Sequence, residues 1–309
     1  MFKLIDWIKI DKIYLSELSE NPSAGAMALL EKNQDKIGWR GLSANPSASA
    51  VRFLENNQNK IRWCELSENP LATALLEKNQ DKIHWTYLSA NSSAIALLKK
   101  NPEKIHWGWL SRNPSAEAMA LLEKNPEKIN WYWLSNNPCA LRLLENNQDK
   151  IHWAQLSRNP STAAMPLLEK NQDKINWEWL SRNPSAIALL EKNQDKIIWI
   201  CLSRNPSAIA LLEKNQNKIN WSWLSRNPSA EAIALLEKNR DKIDWSRLSQ
   251  NPAIFEYDYE RMIADAMDKG LKEDLMKNRF HPRNIPKFRD WGIDGFEDYE
   301  CDEDERIIN

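Results

Sequence analysis

One spacing limits what this sequence can fold into. Tryptophan recurs at intervals of 22 or 24 residues, at Trp39, Trp63, Trp85, Trp107, Trp131, Trp153, Trp177, Trp199, Trp221 and Trp245. Leu15 occupies the same place one interval earlier, so eleven motifs run from about residue 11 to residue 252. A fixed period of roughly 20–50 residues indicates stacked units, none of which can bury its apolar face alone.

Each unit contains two short helices. One begins at Asn-Pro and continues Ser-Ala-Ile-Ala-Leu-Leu-Glu-Lys, and the other follows Asn-Gln-Asp-Lys-Ile and carries Trp-x-x-Leu-Ser. Of the 15 prolines, 12 follow asparagine, a favoured N-cap, and proline fits the first helical position. Because isolated helices under ~12 residues are marginal in water, they must stack. The sequence predicts an all-α solenoid of two-helix repeats, an open curved stack about 90 Å long if ten units each add ~9 Å.

The repeat length leaves one other fold to consider. Leucine-rich repeats share the period, but the Leu-x-Leu strand alternation is missing and Ala-Leu-Leu-Glu-Lys favours helix.

The longer units carry two extra residues, which rotate a helix by about 200°, so we expect the first turn to absorb them. The extra pairs are Gly25-Ala26, Ser49-Ala50, Glu117-Ala118, Ala163-Ala164 and Glu231-Ala232.

Pro166 lies seven residues after Asn159, inside one of the longer units. Proline within a continuous helix removes a hydrogen bond and costs ~3 kcal/mol. We therefore expect a kink or a late helix start, and a higher melting temperature for Pro166→Ala.

The two ends of the chain depart from the repeat. An exposed apolar end of a stack needs a cap, so the end segments are interpreted as caps, the C-terminal one packing around Trp245 and Leu248. A docking motif between Arg279 and Trp291 is the competing interpretation. The expected domains are an N-terminal cap (1–14), the repeats (15–252), a helical C-terminal cap (253–296, with helices at 257–269, 271–280 and 284–291) and a disordered acidic tail (297–309). From residue 253 onward the chain has 16 acidic and 9 basic residues, against 27 and 33 before it.

Composition points to an intracellular protein. The four cysteines form no Cys-x-x-Cys pair, which is typical of neither a disulfide framework nor a zinc site and fits a reducing compartment. Asp6 and Asp11 interrupt the apolar start, so no signal peptide is expected. No apolar run approaches the ~20 residues that cross a bilayer, so no membrane partner is expected.

The repeat unit Leu-Ser-Arg-Asn-Pro-Ser-Ala-Ile-Ala-Leu-Leu-Glu-Lys-Asn-Gln-Asp-Lys-Ile-Asn-Trp resembles repeat proteins that giant DNA viruses of amoebae and algae encode in many copies. The segment from Glu273 to Phe288 resembles the ending that those proteins share. The resemblance covers nearly the whole chain. It implies a viral origin and a place in the host cytoplasm or the virion, and it carries over no catalytic residues.

Two sets of conspicuous residues are interpreted as structural. His84, His106 and His152 precede repeat tryptophans one stacking step apart, roughly 10 Å, whereas metal–nitrogen bonds are ~2 Å, so they predict polar surface positions and no metal site. The repeat tryptophans could form a stacking platform for bases. Because each can bury ~150–250 Å² that short helices need, we interpret them as core.

Two variable columns supply candidate partner-binding residues. Two residues after the repeat tryptophan lies a second column, which tolerates Gly41, Glu65 and Arg247, so its tryptophans are expected to be partly exposed; half-buried packing is the alternative. After Leu-Ser lies a column whose arginines should align into a basic ladder for phosphates or acidic side chains. The simpler interpretation is a solvated face paired with nearby carboxylates. The candidates are Trp109, Trp133, Trp179 and Trp223, and Arg112, Arg158, Arg182, Arg204 and Arg226.

No catalytic motif accompanies these columns. The sequence has no Gly-rich phosphate loop, nucleophile elbow or His-Glu-x-x-His, and no cofactor is expected. The main functional hypothesis is a non-enzymatic protein–protein interaction scaffold. The alternative is a nucleic-acid-binding helical repeat protein that uses the arginine ladder and the exposed tryptophans.

Overall fold

The computed structural model of the protein describes residues 2–268. They belong to two compact units, one spanning Phe2–Glu256 with all the repeats and one that begins at Tyr257. The all-α repeat solenoid is confirmed. The helices expected at 271–280 and 284–291 and the tail 297–309 lie outside the described residues.

Two kinds of short α-helix alternate along the repeats. The odd-numbered helices α1–α21 carry the repeat tryptophan, or Leu15 in α1, and are called Trp helices. The even-numbered helices α2–α20 carry the Leu-Leu pair, or Phe53-Leu54 in α4, and are called Leu helices. The α-helices are α1 (Leu15–Leu18), α2 (Ala24–Glu31), α3 (Trp39–Ala44), α4 (Ala48–Glu55), α5 (Trp63–Glu68), α6 (Thr73–Lys78), α7 (Trp85–Ala90), α8 (Ile95–Lys100), α9 (Trp107–Leu110), α10 (Ala116–Glu123), α11 (Trp131–Ser135), α12 (Leu141–Glu145), α13 (Trp153–Leu156), α14 (Met165–Lys170), α15 (Trp177–Arg182), α16 (Ile187–Lys192), α17 (Trp199–Leu202), α18 (Ile209–Glu213), α19 (Trp221–Ser225), α20 (Ala230–Glu237), α21 (Trp245–Ser249) and, in the second unit, α22 (Tyr259–Asp268).

Short 3-10 turns and one small sheet complete the described structure. Strands β1 (Phe2–Leu4) and β2 (Phe255–Tyr257) pair with each other. The 3-10 turns are Ile10–Lys12, Gln34–Lys36, Gln58–Lys60, Pro70–Ala72, Gln80–Lys82, Pro102–Lys104, Pro126–Lys128, Gln148–Lys150, Thr162–Ala164, Gln172–Lys174, Pro184–Ala186, Gln194–Lys196, Pro206–Ala208, Gln216–Lys218, Arg240–Lys242 and Pro252–Ile254.

The first turn of the Leu helix absorbs the two-residue difference between units, as expected. In the short unit at Asn183, a 3-10 turn precedes α16, and the Asn183 side chain accepts a hydrogen bond from the Ser185 amide at 3.0 Å. In the long unit at Asn113, Ser115 caps an eight-residue α10 by accepting from the Ala118 amide at 3.2 Å. Both units thereby keep the Leu-Leu face in register.

Pro166 produces the late helix start that the sequence predicts. Whereas the long-unit helix α20 runs unbroken through Ala234, the residue equivalent to Pro166, a 3-10 turn replaces the first turn before α14. α14 begins at Met165, and Pro166 lies in its first turn. The amides of a first helical turn have no partner within the helix, so proline costs nothing there.

Pro166→Ala is therefore expected to leave the melting temperature unchanged or slightly lower, contrary to the rise expected from the sequence. Replacing a well-placed proline frees the unfolded chain and costs about 0.4–1 kcal/mol. Ala234→Pro is the matched comparison and should cost up to about 3 kcal/mol, because it interrupts a continuous helix. Thermal unfolding followed by circular dichroism measures both; a clear rise for Pro166→Ala would contradict this account.

The repeat tryptophans pack against the core, as expected, without being fully buried. The leucine three residues later is completely buried, for example Leu180 and Leu202. Eight of the ten repeat tryptophans, all except Trp39 and Trp245, are covered by a lysine of the next unit; the Lys196 ammonium, for example, lies 4.9 Å from the Trp177 ring centroid. Such cation–π contacts join consecutive units.

The asparagine three residues after the buried leucine of each Trp helix, followed by proline in ten units and by Ser92 in one, is a buried clamp between units. Its Nδ2 donates to two backbone carbonyls of the preceding unit, as Asn183 does to Ser157 at 3.1 Å and Asn159 at 2.8 Å. All eleven are buried, and all make this pair of bonds: Asn21, Asn45, Asn69, Asn91, Asn113, Asn137, Asn159, Asn183, Asn205, Asn227 and Asn251. We call this set the asparagine ladder.

The serine of Leu-Ser forms a second set of bonds between units. The hydroxyl of Ser157 donates to the Trp153 carbonyl in its own helix and accepts from the Asn176 amide of the next unit at 3.0 Å. The same inter-unit bond recurs at every junction. These buried serines therefore bridge consecutive units.

The first unit also packs on the last. Asn21 donates to the carbonyls of Ser249 at 3.2 Å and Asn251 at 2.8 Å, and the Tyr14 amide donates to the Ser249 hydroxyl at 2.9 Å. α1 lies against α21, as neighbouring Trp helices do elsewhere. Both sets of bonds thus continue across the two ends of the array without interruption.

The N-terminal segment reinforces this closure. Trp7 meets Trp245 edge to face with ring centroids 6.4 Å apart, and the Ile5 amide donates to the Ile254 carbonyl at 3.1 Å. Phe2–Glu256 therefore forms a closed ring of eleven repeats, which differs from the expected open stack with two apolar ends. Its first unit packs directly on its last.

Candidate functional site

Side-chain contacts across two units identify the concave face of the ring. Arg112 and Glu68 lie two units apart in the column after Leu-Ser, yet their side chains form an ion pair at 3.5 Å. Packed helices are spaced by about 8–10 Å, so side chains from alternate units meet only where they converge, on the inner side. The Arg182 guanidinium reaches the Trp223 ring, 6.0 Å away and also two units on. Both variable columns therefore line the concave face.

Five arginines cluster on one part of this face, here called the arginine sector. Four come from consecutive units in the predicted column, and Arg247 comes from the second column of the last unit. Partial burial and the charges of the other four lower the pKa of Arg204. Because a guanidinium remains protonated in proteins, the result is a concentrated positive potential. The sector comprises Arg158, Arg182, Arg204, Arg226 and Arg247.

Asp244 neutralises only the edge of the sector. Its carboxylate lies 3.4 Å from the Arg247 guanidinium and accepts from the Ser222 hydroxyl at 2.7 Å. Partial burial alone would raise the pKa of Asp244, but the hydrogen bonds from Ser222 and the Arg247 amide and the charge of Arg247 lower it on balance. Asp244 is therefore ionised near neutral pH.

The second-column tryptophans hold the arginines in place. All four are partly buried, in line with the partial exposure expected for them. The Trp179 ring centroid lies 4.7 Å from the Arg158 guanidinium and 4.9 Å from that of Arg182, and Arg247 lies 3.8 Å from the Trp223 ring. Stacked on an aromatic ring, a guanidinium keeps its N–H edges free to bind anions.

Trp109 and Trp133 form a separate cluster. Their rings stack with centroids 6.3 Å apart, Tyr87 packs on Trp109 at 4.8 Å, and the Arg112 guanidinium lies 5.6 Å from both tryptophans. Arg112 is paired with Glu68. The structure thus divides the predicted residues into a cationic group around Trp179 and Trp223 and an aromatic group around one neutralised arginine.

A cavity of about 240 Å³ opens within the arginine sector, and no carboxylate lines it. Arg182 pairs with Glu178 at 3.3 Å, whereas Arg158 and Arg204 form no ion pair with any residue between 2 and 268. Two of its three guanidinium charges are therefore uncompensated. The lining residues are Arg158, Trp179, Arg182, Asn183, Pro184 and Arg204.

The opposite charge occupies the same columns in the first and third units. Glu17, Glu20, Glu65 and Glu68 form this acidic sector, and Gly41 and Ala44 of the second unit leave a cavity of about 580 Å³ beside it. Arg40 pairs with Glu65 at 2.8 Å, Arg226 with Glu20 at 3.2 Å, and Gln250 donates to Glu17. The carboxylates of this cavity therefore already have partners.

The sequence predicted the arginine column, but it did not predict that positive and negative charges separate into two sectors of the concave face. It placed four of the five clustered arginines together and missed Arg247, which lies in the other column. The acidic sector was visible as Glu20 and Glu68, which fill arginine positions. The sequence did not indicate that the ring closes and brings the first units next to the last, so the proximity of the two sectors could not be inferred.

Other conspicuous residues form no site in the part of the chain that the structure describes. His84 and His152 are exposed, and His106 accepts from the Trp109 amide at 3.3 Å. Among the side chains that the structure describes, those of residues 2–265, His, Cys, Asp and Glu nowhere form a group of three that could hold a metal ion. Cys64 and Cys139 are exposed free thiols, and Cys201 is a buried one. No helix between these limits is long and apolar enough to cross a membrane.

No protein-family model, curated protein or solved structure matches this chain. Functional inference therefore starts from the geometry of the concave face.

Proposed function

We propose that the protein is a non-enzymatic binding protein that holds a polypeptide segment of a partner protein against the concave face of its ring. The support is the division between frame and surface. The buried leucines, asparagines and serines repeat almost without change, whereas the two concave columns vary from unit to unit. Repeat proteins typically bind partners on such a surface.

The segregation of charge favours a polypeptide over a nucleic acid. A long polyanion that followed the concave face would leave the arginine sector and meet Glu17, Glu20 and Glu65. The Trp179 and Trp223 rings are also covered by guanidinium groups, so little aromatic surface remains for stacking bases. A polypeptide, unlike a polyanion, can present an acidic stretch to the arginine sector and continue past the paired carboxylates of the acidic sector with side chains that are not negatively charged.

A nucleic-acid-binding role is the second candidate, and the clustering of five arginines is the observation that favours it. Binding would then rest on phosphate contacts and would weaken steeply with salt.

From the resemblance stated above, we extend the main proposal to a scaffold role in a host cell infected by a giant virus, in the cytoplasm or the virion.

Binding of labelled polymers tests the two candidates. The probes are a peptide with an acidic block and a basic block joined by a Gly-Ser linker, the same composition with scrambled charge order, and single-stranded RNA and DNA, followed by fluorescence anisotropy at several salt concentrations. We expect the block peptide to bind most tightly, and Arg204→Glu to abolish that binding.

The control is Arg142→Glu, the same charge change at an exposed position on Leu helix α12. It should leave peptide binding unchanged. Tight, salt-sensitive RNA or DNA binding without preference for the block peptide would contradict the proposal and favour the second candidate.

A further inference from the structure

We propose that the cavity between Arg158, Arg182 and Arg204 binds a phosphorylated side chain of the partner segment. This inference rests on the proposed function and adds to it the chemistry of the group that is bound. It starts from a single cavity and not from the charge of the whole sector.

Three consecutive units each contribute one guanidinium group to this cavity. Trp179 lies between the units of Arg158 and Arg204 and packs against Arg158 and Arg182, and the Trp223 ring lies 5.3 Å from the Arg204 guanidinium. The amide of Asn183 is already used in the asparagine ladder. The guanidinium N–H groups are therefore the charged side-chain donors that can meet a ligand in this cavity.

The charge of the cavity fits a dianion better than a carboxylate. A phosphorylated side chain carries a charge of about −1.5 to −2 at pH 7 and three acceptor oxygens, and guanidinium groups bind it through paired hydrogen bonds. An aspartate or glutamate offers one charge to the two uncompensated guanidinium groups of Arg158 and Arg204. A phosphodiester also carries one charge and extends from both sides of the phosphorus.

Arg112 provides an internal comparison. It occupies the same column and also packs against second-column tryptophans, but Glu68 neutralises it. If positive charge on the concave face were sufficient, Arg112 would contribute as much as Arg158. If the uncompensated cavity is the site, Arg112 contributes little.

The test uses the full-length protein and three degenerate peptide libraries, with a fixed central phosphoserine, serine or glutamate. Anisotropy should show at least about tenfold tighter binding of the phosphoserine library, and Arg158→Gln or Arg204→Gln should weaken it about ten- to a hundredfold, as loss of a charged hydrogen bond does. Arg112→Gln should change it by less than about threefold. The binding should weaken as the pH falls below about 6, where the phosphate gains a proton. Circular dichroism spectra and melting temperatures verify that the variants are folded.

Each other outcome has a defined meaning. Equal binding of the three libraries would overturn the phosphoryl site and leave the proposed function standing. A loss in Arg112→Gln as large as in Arg158→Gln would overturn the assigned cavity. Inorganic phosphate that binds alone, without preference for the phosphoserine library, would also overturn this inference. RNA binding with no binding of any peptide would overturn both proposals.

Discussion

Asn159→Asp is expected to lower the free energy of unfolding by about 3–5 kcal/mol, because two buried carbonyls lose their donor and a carboxylate faces them instead. Asn159 is fully buried and donates to Ser135 at 3.1 Å and Asn137 at 2.9 Å. Its Oδ1 also accepts from the Ser161 amide at 3.0 Å, and that bond survives the change. Urea unfolding measures the effect.

This variant also has a defined pH dependence. Burial beside two carbonyls raises the pKa of the introduced carboxyl above its unfolded value, so the folded form gains a proton more easily. The deficit relative to the unmodified protein is therefore largest at neutral pH and shrinks as the pH falls through the folded pKa.

Asn171→Asp is the matched control in the same unit. Asn171 is half-buried, its Nδ2 bonds only the Leu167 carbonyl within its own helix, and Lys174 lies 3.2 Å from its Oδ1. We expect a loss of about 1 kcal/mol. Equal losses in the two variants would show that the ladder bonds between units have no special weight.

Deletion of residues 2–13 is expected to open the ring. It removes the β1 strand, the Trp7 contact with Trp245 and the buried side chains of Ile8 and Ile13. At about 2 kcal/mol for each buried apolar side chain, the melting temperature should fall by about 10 °C. The exposed faces of the first and last units should then pair between molecules, which size-exclusion chromatography with light scattering detects.

Hydrogen exchange locates the change. In the unmodified protein the Tyr14 amide, bonded to Ser249, should be as protected as its interior equivalent, the Asn176 amide bonded to Ser157. The deletion should remove protection at Tyr14 and leave Asn176 protected. A deleted protein that stays monomeric with Tyr14 still protected would show that the N-terminal segment is dispensable for closure.

Local rules were enough to predict the repeat. The Asn-Pro pair marks a helix start because of capping and the fixed φ of proline, and the structure has a helical turn after nearly every such pair. The same rules predicted the capping role of the asparagine but not its bonds to the preceding unit. Its Oδ1 does cap, but its Nδ2 reaches the preceding unit, and no single-unit rule requires that. The late helix start at Pro166 was predicted from the same local rules. The effect of Pro166 on stability could not be predicted, because it depends on the residue at which α14 begins.

Closure could not be predicted from one unit. It depends on a small rotation between neighbours that accumulates along the array, and the sequence of one unit does not contain that angle. Part of the candidate site could not be predicted for the same reason. The arginine column follows from periodicity, but the contact of Glu20 with Arg226 joins residues from opposite ends of the array and exists only because the ring closes.

Closure of the ring also constrains the number of repeats that it can contain. Eleven repeats share a full turn, so each contributes about 33° on average. An open solenoid that gains or loses one unit by recombination between near-identical segments keeps every remaining interface and becomes longer or shorter. A ring that loses one unit must distribute the missing angle over every junction of the asparagine ladder, or leave its last junction unmade. The stability of the ring therefore depends on the number of repeats, whereas an open array tolerates changes in that number.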